Sequence, residues 1–262
     1  MRARTIGKAV ALSGTGFSGR GRATVRLAPG EPGSGITVNG IAAELRHASV
    51  AKHLVCLGKG RRRVRGVEHL LAACAGAGVV ALEATVEGNE LPVLDGSSLP
   101  YYRAFERAGL VSLGTVRAVV PPVPMLVERD GGFIAAFPSD RLRVNCLTRF
   151  PEFGVNYLSV TVTPRTFMAE LAPARTVMRT RRTPEEVRRI YRLRFGLARK
   201  GSYVLPERSR LAGEVCRHKM LDLLGDLALL GGPLRAEVFA CCPGHRLNLA
   251  FVKKLESVTE AA

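Results

Sequence analysis

Apolar and polar positions alternate with a period of two over several short stretches, and a few longer ones follow the helical period instead. In the first half, the stretches Thr5 to Leu12, Ala23 to Leu27, Gly35 to Val38, Leu54 to Leu57 and Val79 to Val86 predict strands. Val67 to Ala75 predicts a short apolar helix, closed by the small residues Ala75 to Gly78. Asp95 and Ser97 are candidate N-caps for a helix over Ser98 to Ala108. Gly109 or Gly114 ends this half, shortly before the proline-rich Val119 to Pro124.

From Met125 the strand pattern restarts: Met125 to Arg129, Gly132 to Phe137, Leu142 to Thr148 and Leu158 to Val162. Pro164 to Leu171 reads as helical. Thr183-Pro184-Glu185-Glu186 is a helix start with a capping box, leading into a basic amphipathic helix over Val187 to Leu193. Gly196 to Arg210 carries no clear period and reads as a loose segment. The helix Glu214 to Asp226 (EVCRHKMLDLLGD) follows, with Gly225 its only weak helix former. Leu234 to Ala240 then predicts a strand and His245 to Leu255 a final helix. The order helix, small residues, strand, helix thus occurs in both halves, once around His69 and once around His218. We expect an α+β fold of two similar domains, 1–117 and 118–262, each a β-sheet packed on a pair of helices, with the site between them.

Apolar residues make up 47% of the 262, enough for a substantial core. No apolar run reaches the length of a membrane span and MRARTIGKAV does not read as a signal peptide, so a cytoplasmic protein is expected. The six cysteines lack CxxC spacing and read as buried reduced thiols. With 39 Lys+Arg against 22 Asp+Glu, the net charge of +17 suits polyanionic partners: nucleic acid, an anionic membrane surface or a diphosphate-bearing substrate. Gly14, Gly16 and Gly19 spell GxGxxG, but strand-like ATVRL follows where a dinucleotide site requires a helix, so that motif is rejected.

The chemistry begins with His218 and Asp222, four residues apart, and Asp226 four further on. At 3.6 residues per turn they share one side of a rigid helix, where an imidazole and a carboxylate can hold one metal ion. A catalytic zinc takes three protein ligands and keeps one position open. His69 is the obvious third donor, and its neighbour Glu68 could serve as the base. On spacing alone this reading competes with a hydrogen-bonded histidine that has no metal.

The segments VEHLLAACAGAG (Val67 to Gly78), LPVLDGSSLP (Leu91 to Pro100), ART (Ala174 to Thr176), RHKMLDLLGDL (Arg217 to Leu227) and GHRLN (Gly244 to Asn248) resemble the UDP-3-O-acyl-N-acetylglucosamine deacetylases. These are zinc amidases of lipid A synthesis, and the segments occur in family order along almost the whole chain. The resemblance implies two sheet-plus-two-helix domains with zinc between them on His69, His218 and Asp222. It implies that Glu68 is the general base, that His245 as a cation stabilises the oxyanion and protonates the leaving amine, and that Asp226 orients and charges that imidazole. Thr176 would donate a hydrogen bond to the intermediate, Lys219 would meet the diphosphate, and Phe150 would stack on uracil. The implied partner is a UDP-linked acylated amino sugar, with no nucleic acid, transient contact with an anionic membrane surface and a monomeric state.

Three departures stand out. Ser18 occupies a place where the family has a histidine, Val177 follows ART where phenylalanine is usual, and the stretch from Gly201 to His218 is shorter by about a hairpin. That stretch helps the family to build an acyl-chain passage, so a sister zinc deacetylase acting on an amino sugar with a short or absent acyl chain is a second reading. A basic nucleic-acid-binding protein without catalysis is a third. His47 and His53 have no supporting context and are read as structural.

Overall fold

The structure is a computed structural model that describes residues 2–260. Its two main sheets share one plan. The first runs, in spatial order, Val10–Thr15, Arg22–Pro29, Leu82–Glu87, Ile36–Val38 and Ile41–Ala42. The second runs Met125–Arg129, Gly132–Pro138, Ala236–Cys241, Arg143–Phe150 and Gly154–Thr161. In each, every pairing is antiparallel except one, between the central strand and the fourth. A parallel pair requires a long crossover. Helix α1 (Glu68–Ala77) lies in the first crossover, and each crossover strand is followed by a second helix, α2 (Leu99–Ala108) in the first half. In the second half the crossover carries α3 (Pro164–Thr166), α4 (Pro184–Tyr191) and α5 (Glu214–Leu227), and α6 (His245–Glu260) closes the plan. The repetition read from the sequence is therefore a repetition of topology.

Each crossover also carries a small three-stranded sheet before its main helix. In the first half it is built from Ala48–Ala51, Leu54–Lys59 and Arg62–Arg65, in the second from Met178–Arg179, Tyr203–Pro206 and Leu197–Lys200. Leu197–Lys200 and Tyr203–Pro206 form a hairpin inside the segment read as loose. Its strands are four residues long, too short for a visible period. Leu110–Thr115, also missed, pairs with Arg2–Ile6 and returns the end of the first half to its beginning.

The two crossover helices pack on each other at the centre of a core that spans both halves, including Leu70 and Leu71 of α1 and Leu221 and Leu224 of α5. Nine of the ten residues of α1 are buried, which explains why it shows little amphipathic contrast. Contact is closest at Gly225, where a Cβ would lie 2.2 Å from the Glu68 carbonyl oxygen. A side chain there must push the helices apart. We expect Gly225→Ala to destabilise the protein by about 2 kcal/mol or more, measured as a fall in Tm. An unchanged Tm would mean that the helices do not cross here.

Other expectations need adjustment. The strand placed at Val79 starts at Leu82, and Pro164 to Leu171 divides into α3 and one π-helical turn, Phe167–Leu171. The N-cap of α2 is Ser98, without a side-chain cap bond. Asp95 instead accepts bonds from the Ser97 backbone NH at 3.0 Å and its hydroxyl at 2.7 Å, a local Asx turn. The capping box at Thr183 and Glu186 forms as read. The glycine motif is a turn between antiparallel strands, with no helix after it. Among the described residues no helix is long and apolar enough to cross a membrane.

Candidate active site

α1 presents Glu68 and His69 from its first turn, and α5 presents His218 and Asp222 from its middle. Because the helices cross at Gly225, these side chains meet at one end of the crossing. One ligand atom from each of His69, His218 and Asp222 lies within 4.8 Å of the other two. Asp222 Oδ1 stands 3.3 Å from His218 Nε2 and 3.8 Å from His69 Nε2. The two imidazoles meet edge to face, with centroids 5.0 Å apart.

Neighbouring groups set each donor. His218 Nδ1 is 3.0 Å from the Ala174 carbonyl, which can only accept, so Nδ1 carries the proton and Nε2 keeps its lone pair. Lys219 Nζ donates to Asp222 Oδ2 at 3.0 Å and leaves Oδ1 to the histidines. Burial, then the His218 charge, pushes His69 down to about 3. Burial likewise lowers His218, against the opposing pull of Asp222. For Asp222, burial acts against ionisation, but His218, Lys219, His245 and His69 outweigh it and hold the carboxyl well below its usual range. Two neutral imidazoles and one carboxylate, all buried, are the donor set of a catalytic zinc site and fit that ion.

Opposite them, burial raises Glu68 to about 7. Its Oε2 accepts from the Val55 backbone NH at 3.1 Å, which fixes the carboxylate. His245 opens α6, and its Nδ1 lies 2.8 Å from Asp226 Oδ2. Burial opposes a charged His245, yet Asp226 and then Asp222 and Glu68 prevail and lift its pKa to about 10. Asn248, one turn further along α6, also donates to Asp226 Oδ2 at 2.8 Å. Asp226 is fully buried, so this clamp keeps its charge paired.

A cleft of about 520 Å³ joins these groups: Glu68, His69, His218, Lys219, Asp222, His245, Thr176 and Phe150 all line it. Asp226 alone of the predicted residues lies behind the wall, reaching the cleft through His245. Phe150 ends its strand edge-on to Phe153 and Tyr203, at 5.9 and 6.1 Å between centroids, so the aromatic group belongs to a cluster. Lys219 was expected to face a diphosphate, and its ammonium here is bound to Asp222.

His53, set aside in the sequence reading, lines the cleft. It follows Lys52, which turns the chain at φ 58° between Ala48–Ala51 and Leu54–Lys59, and a hairpin tip gives no periodic signal. A second group invisible to spacing is the ion pair of Arg175 with Glu214 at the start of α5. Glu214 Oε1 accepts from both the backbone NH and the Nε of Arg175, at 2.9 and 2.8 Å. This pins the Ala174–Thr176 segment and with it the carbonyl that orients His218. Ser18 donates its backbone NH to Glu90, and Tyr191 of α4 donates to the Phe17 carbonyl at 2.8 Å, so the glycine turn docks against the second half.

Residues 3–257 match the family LpxC, UDP-3-O-acyl N-acetylglycosamine deacetylase. The UDP-3-O-acyl-N-acetylglucosamine deacetylase of Anaeromyxobacter dehalogenans is 34% identical over 273 residues, covering 96% of this chain and 86% of that protein. The proteins of the same name from Nitratidesulfovibrio vulgaris and Trichormus variabilis are 33% and 32% identical. Those matches cover 98% and 97% of this chain, and 88% and 98% of the relatives. With the match running from one sheet-and-helix half through the other and across the cleft between them, the chain belongs to the UDP-3-O-acyl-N-acetylglucosamine deacetylase family.

Proposed function

We propose that this chain removes the acetyl group of UDP-3-O-acyl-N-acetylglucosamine, the committed step of lipid A synthesis, with zinc held by His69, His218 and Asp222. The observation that carries the reading is the convergence of three metal-type donors on one cleft with a buried carboxylate, Glu68, and a buried charged imidazole, His245. Zinc at that cluster would polarise the acetyl carbonyl and lower the pKa of a water to about 7.

The chain's own residues divide the proton work. Glu68 takes a proton from the attacking water as its oxygen joins the carbonyl carbon. His245, held as a cation by Asp226, and Thr176 face the oxygen on which negative charge develops. His245 then gives its proton to the nitrogen as the C–N bond breaks, releasing acetate and a free amine. Thr176 takes its place from its backbone NH, which donates to the Gly96 carbonyl at 2.8 Å. Phe150 would stack on the uracil, and Lys219, held on Asp222 beside the metal cluster, would meet the diphosphate only by leaving that partner. The division into domains 1–117 and 118–262 belongs to the same proposal: Val119 bridges to Leu234 as Arg4 bridges to Val79, so each half begins on the same step of its plan.

One observation favours the sister reading, a substrate with a short or absent acyl chain. Met178 and Tyr203 of the small sheet and Val187 of α4 border the cleft, and the void behind them, also lined by Phe195, is about 10 Å³, room for no more than one water. The test is acetate release from the UDP-linked 3-O-acyl sugar beside its non-acylated analogue, with and without a chelator. The expected result is faster release from the acylated sugar, abolished by the chelator and restored by zinc. Equal rates would favour the sister enzyme. No release together with no bound metal would reject both.

A further inference from the structure

The two main sheets supply an internal control for each other. Both cover the helices with one face and turn the other outward, and such a face is ordinarily polar. The first sheet obeys: Ser13, Thr24, Arg26, Glu83, Thr85 and Glu87 stand on its outer face. The second does not. Of nine exposed large hydrophobic side chains among the described residues, six stand on its outer face: Leu126, Phe133, Phe137, Val155, Tyr157 and Phe239. The pairing register makes them neighbours. Phe133 pairs across to Cys241, Leu147 to both Cys241 and Tyr157, and Phe137 meets Phe239 edge to face at 5.9 Å. A contiguous apolar face of this kind marks an interaction surface.

We propose that this face is the contact through which two copies of the chain pair. Charge selects this occupant. The protein carries +17, yet the charged residues pointing outward from these strands balance: Arg143 and Arg149 against Glu128 and Glu237. Arg143 lies 3.9 Å from Glu237, and beyond the face, at a strand end and in a turn, Arg129 pairs with Asp130 and Arg141 with Asp140. An anionic lipid surface, a nucleic acid or an acidic protein would be met by an excess of cations, and the excess of this +17 chain lies off this face. A second copy offers the same neutral apolar face to itself, as a two-fold contact requires. The area suffices as well. Five strands about 4.8 Å apart and about 20 Å long present roughly 450 Å² of sheet per copy. The relief of the side chains brings a face-to-face pair to the ~1,000 Å² total of a specific contact. A monomer is expected from the sequence instead, and the two differ in what sedimentation would show.

Because the rest of each copy is strongly basic, pairing is opposed by like charge and strengthens as salt screens it. Membrane or nucleic-acid binding through basic residues has the opposite salt dependence. The experiment is analytical ultracentrifugation of the full chain at about 50 mM and about 500 mM NaCl. Wild type is expected to dimerise, at least about fivefold more tightly at the higher salt. Phe239→Asp in the middle of the face should weaken the dimer at least about tenfold with Tm within a few degrees, and Thr85→Asp on the sister sheet should leave it unchanged. If Phe239→Asp fails to fold, Leu126→Gln at the edge strand serves the same comparison. A protein that stays monomeric at both salts, or a dimer indifferent to these changes, overturns the proposal. So does Phe239-dependent co-sedimentation of a monomer with phosphatidylglycerol vesicles, which would assign the face to lipid.

Discussion

Glu68→Ala should retain its zinc and lose turnover about 10³-fold, whereas His218→Ala should lose the zinc as well. The difference follows from where the two side chains point. Glu68 is fixed by the Val55 backbone NH and is absent from the three-donor cluster, so its removal takes away a proton acceptor and leaves the ligands in place. A positioned general base contributes about 10² to 10⁴ in rate, which sets the size of the loss. His218 is one of three donors, its tautomer already set by Ala174, and two donors hold zinc far more weakly than three. Zinc per protein by elemental analysis, beside kcat for acetate release, separates the two effects. Full zinc content in His218→Ala would show that the ligand assignment is wrong.

Asp226→Asn should lower the alkaline limb of the pH profile and reduce activity above neutrality by about 10². In the proposed mechanism His245 must be a cation to serve as the acid. In the folded protein its pKa is raised from 6.5 to about 10, so the charged form persists through neutrality and is lost as pH rises through that value. The support that outweighs burial comes first from Asp226, through its charge and its 2.8 Å hydrogen bond. With a neutral amide in its place, burial prevails and the imidazole gives up its proton at a much lower pH. The His245 shift contributes stability that is present below pH 6.5 and fades as pH climbs to about 10, while burial raises the pKa of Asp226 and sets an acid limit to the pair. kcat/KM measured from pH 6 to about 10.5 is the direct check. An unmoved alkaline limb in the variant would mean that another group supplies the proton.

Much of this arrangement was legible in the residues because the side chains that meet in the cleft sit on the most regular elements. The i, i+4 spacing of His218 and Asp222 means one helix face in any protein, and the capping box at Thr183 is a local signal read locally. The repeated order of helix, strand and helix was visible because each crossover helix is followed by its strand within a few residues. What escaped depends on contacts between distant segments. His53 reaches the cleft from a hairpin tip, and Asn248 matters only because α6 lies against Asp226. Glu214 looks like an ordinary acid in the first turn of a helix until Arg175, 39 residues earlier, is found beside it. The hairpin at Leu197–Lys200 and Tyr203–Pro206 was hidden by strands too short to show alternation.

The most direct test is diffraction from crystals of the purified protein at wavelengths on either side of the zinc absorption edge. One anomalous peak should stand about 2.0–2.2 Å from His69 Nε2, His218 Nε2 and Asp222 Oδ1, with Glu68 and His245 facing it across the cleft. A zinc peak held by other side chains, or a zinc-replete crystal with no peak between those three atoms, would contradict the account.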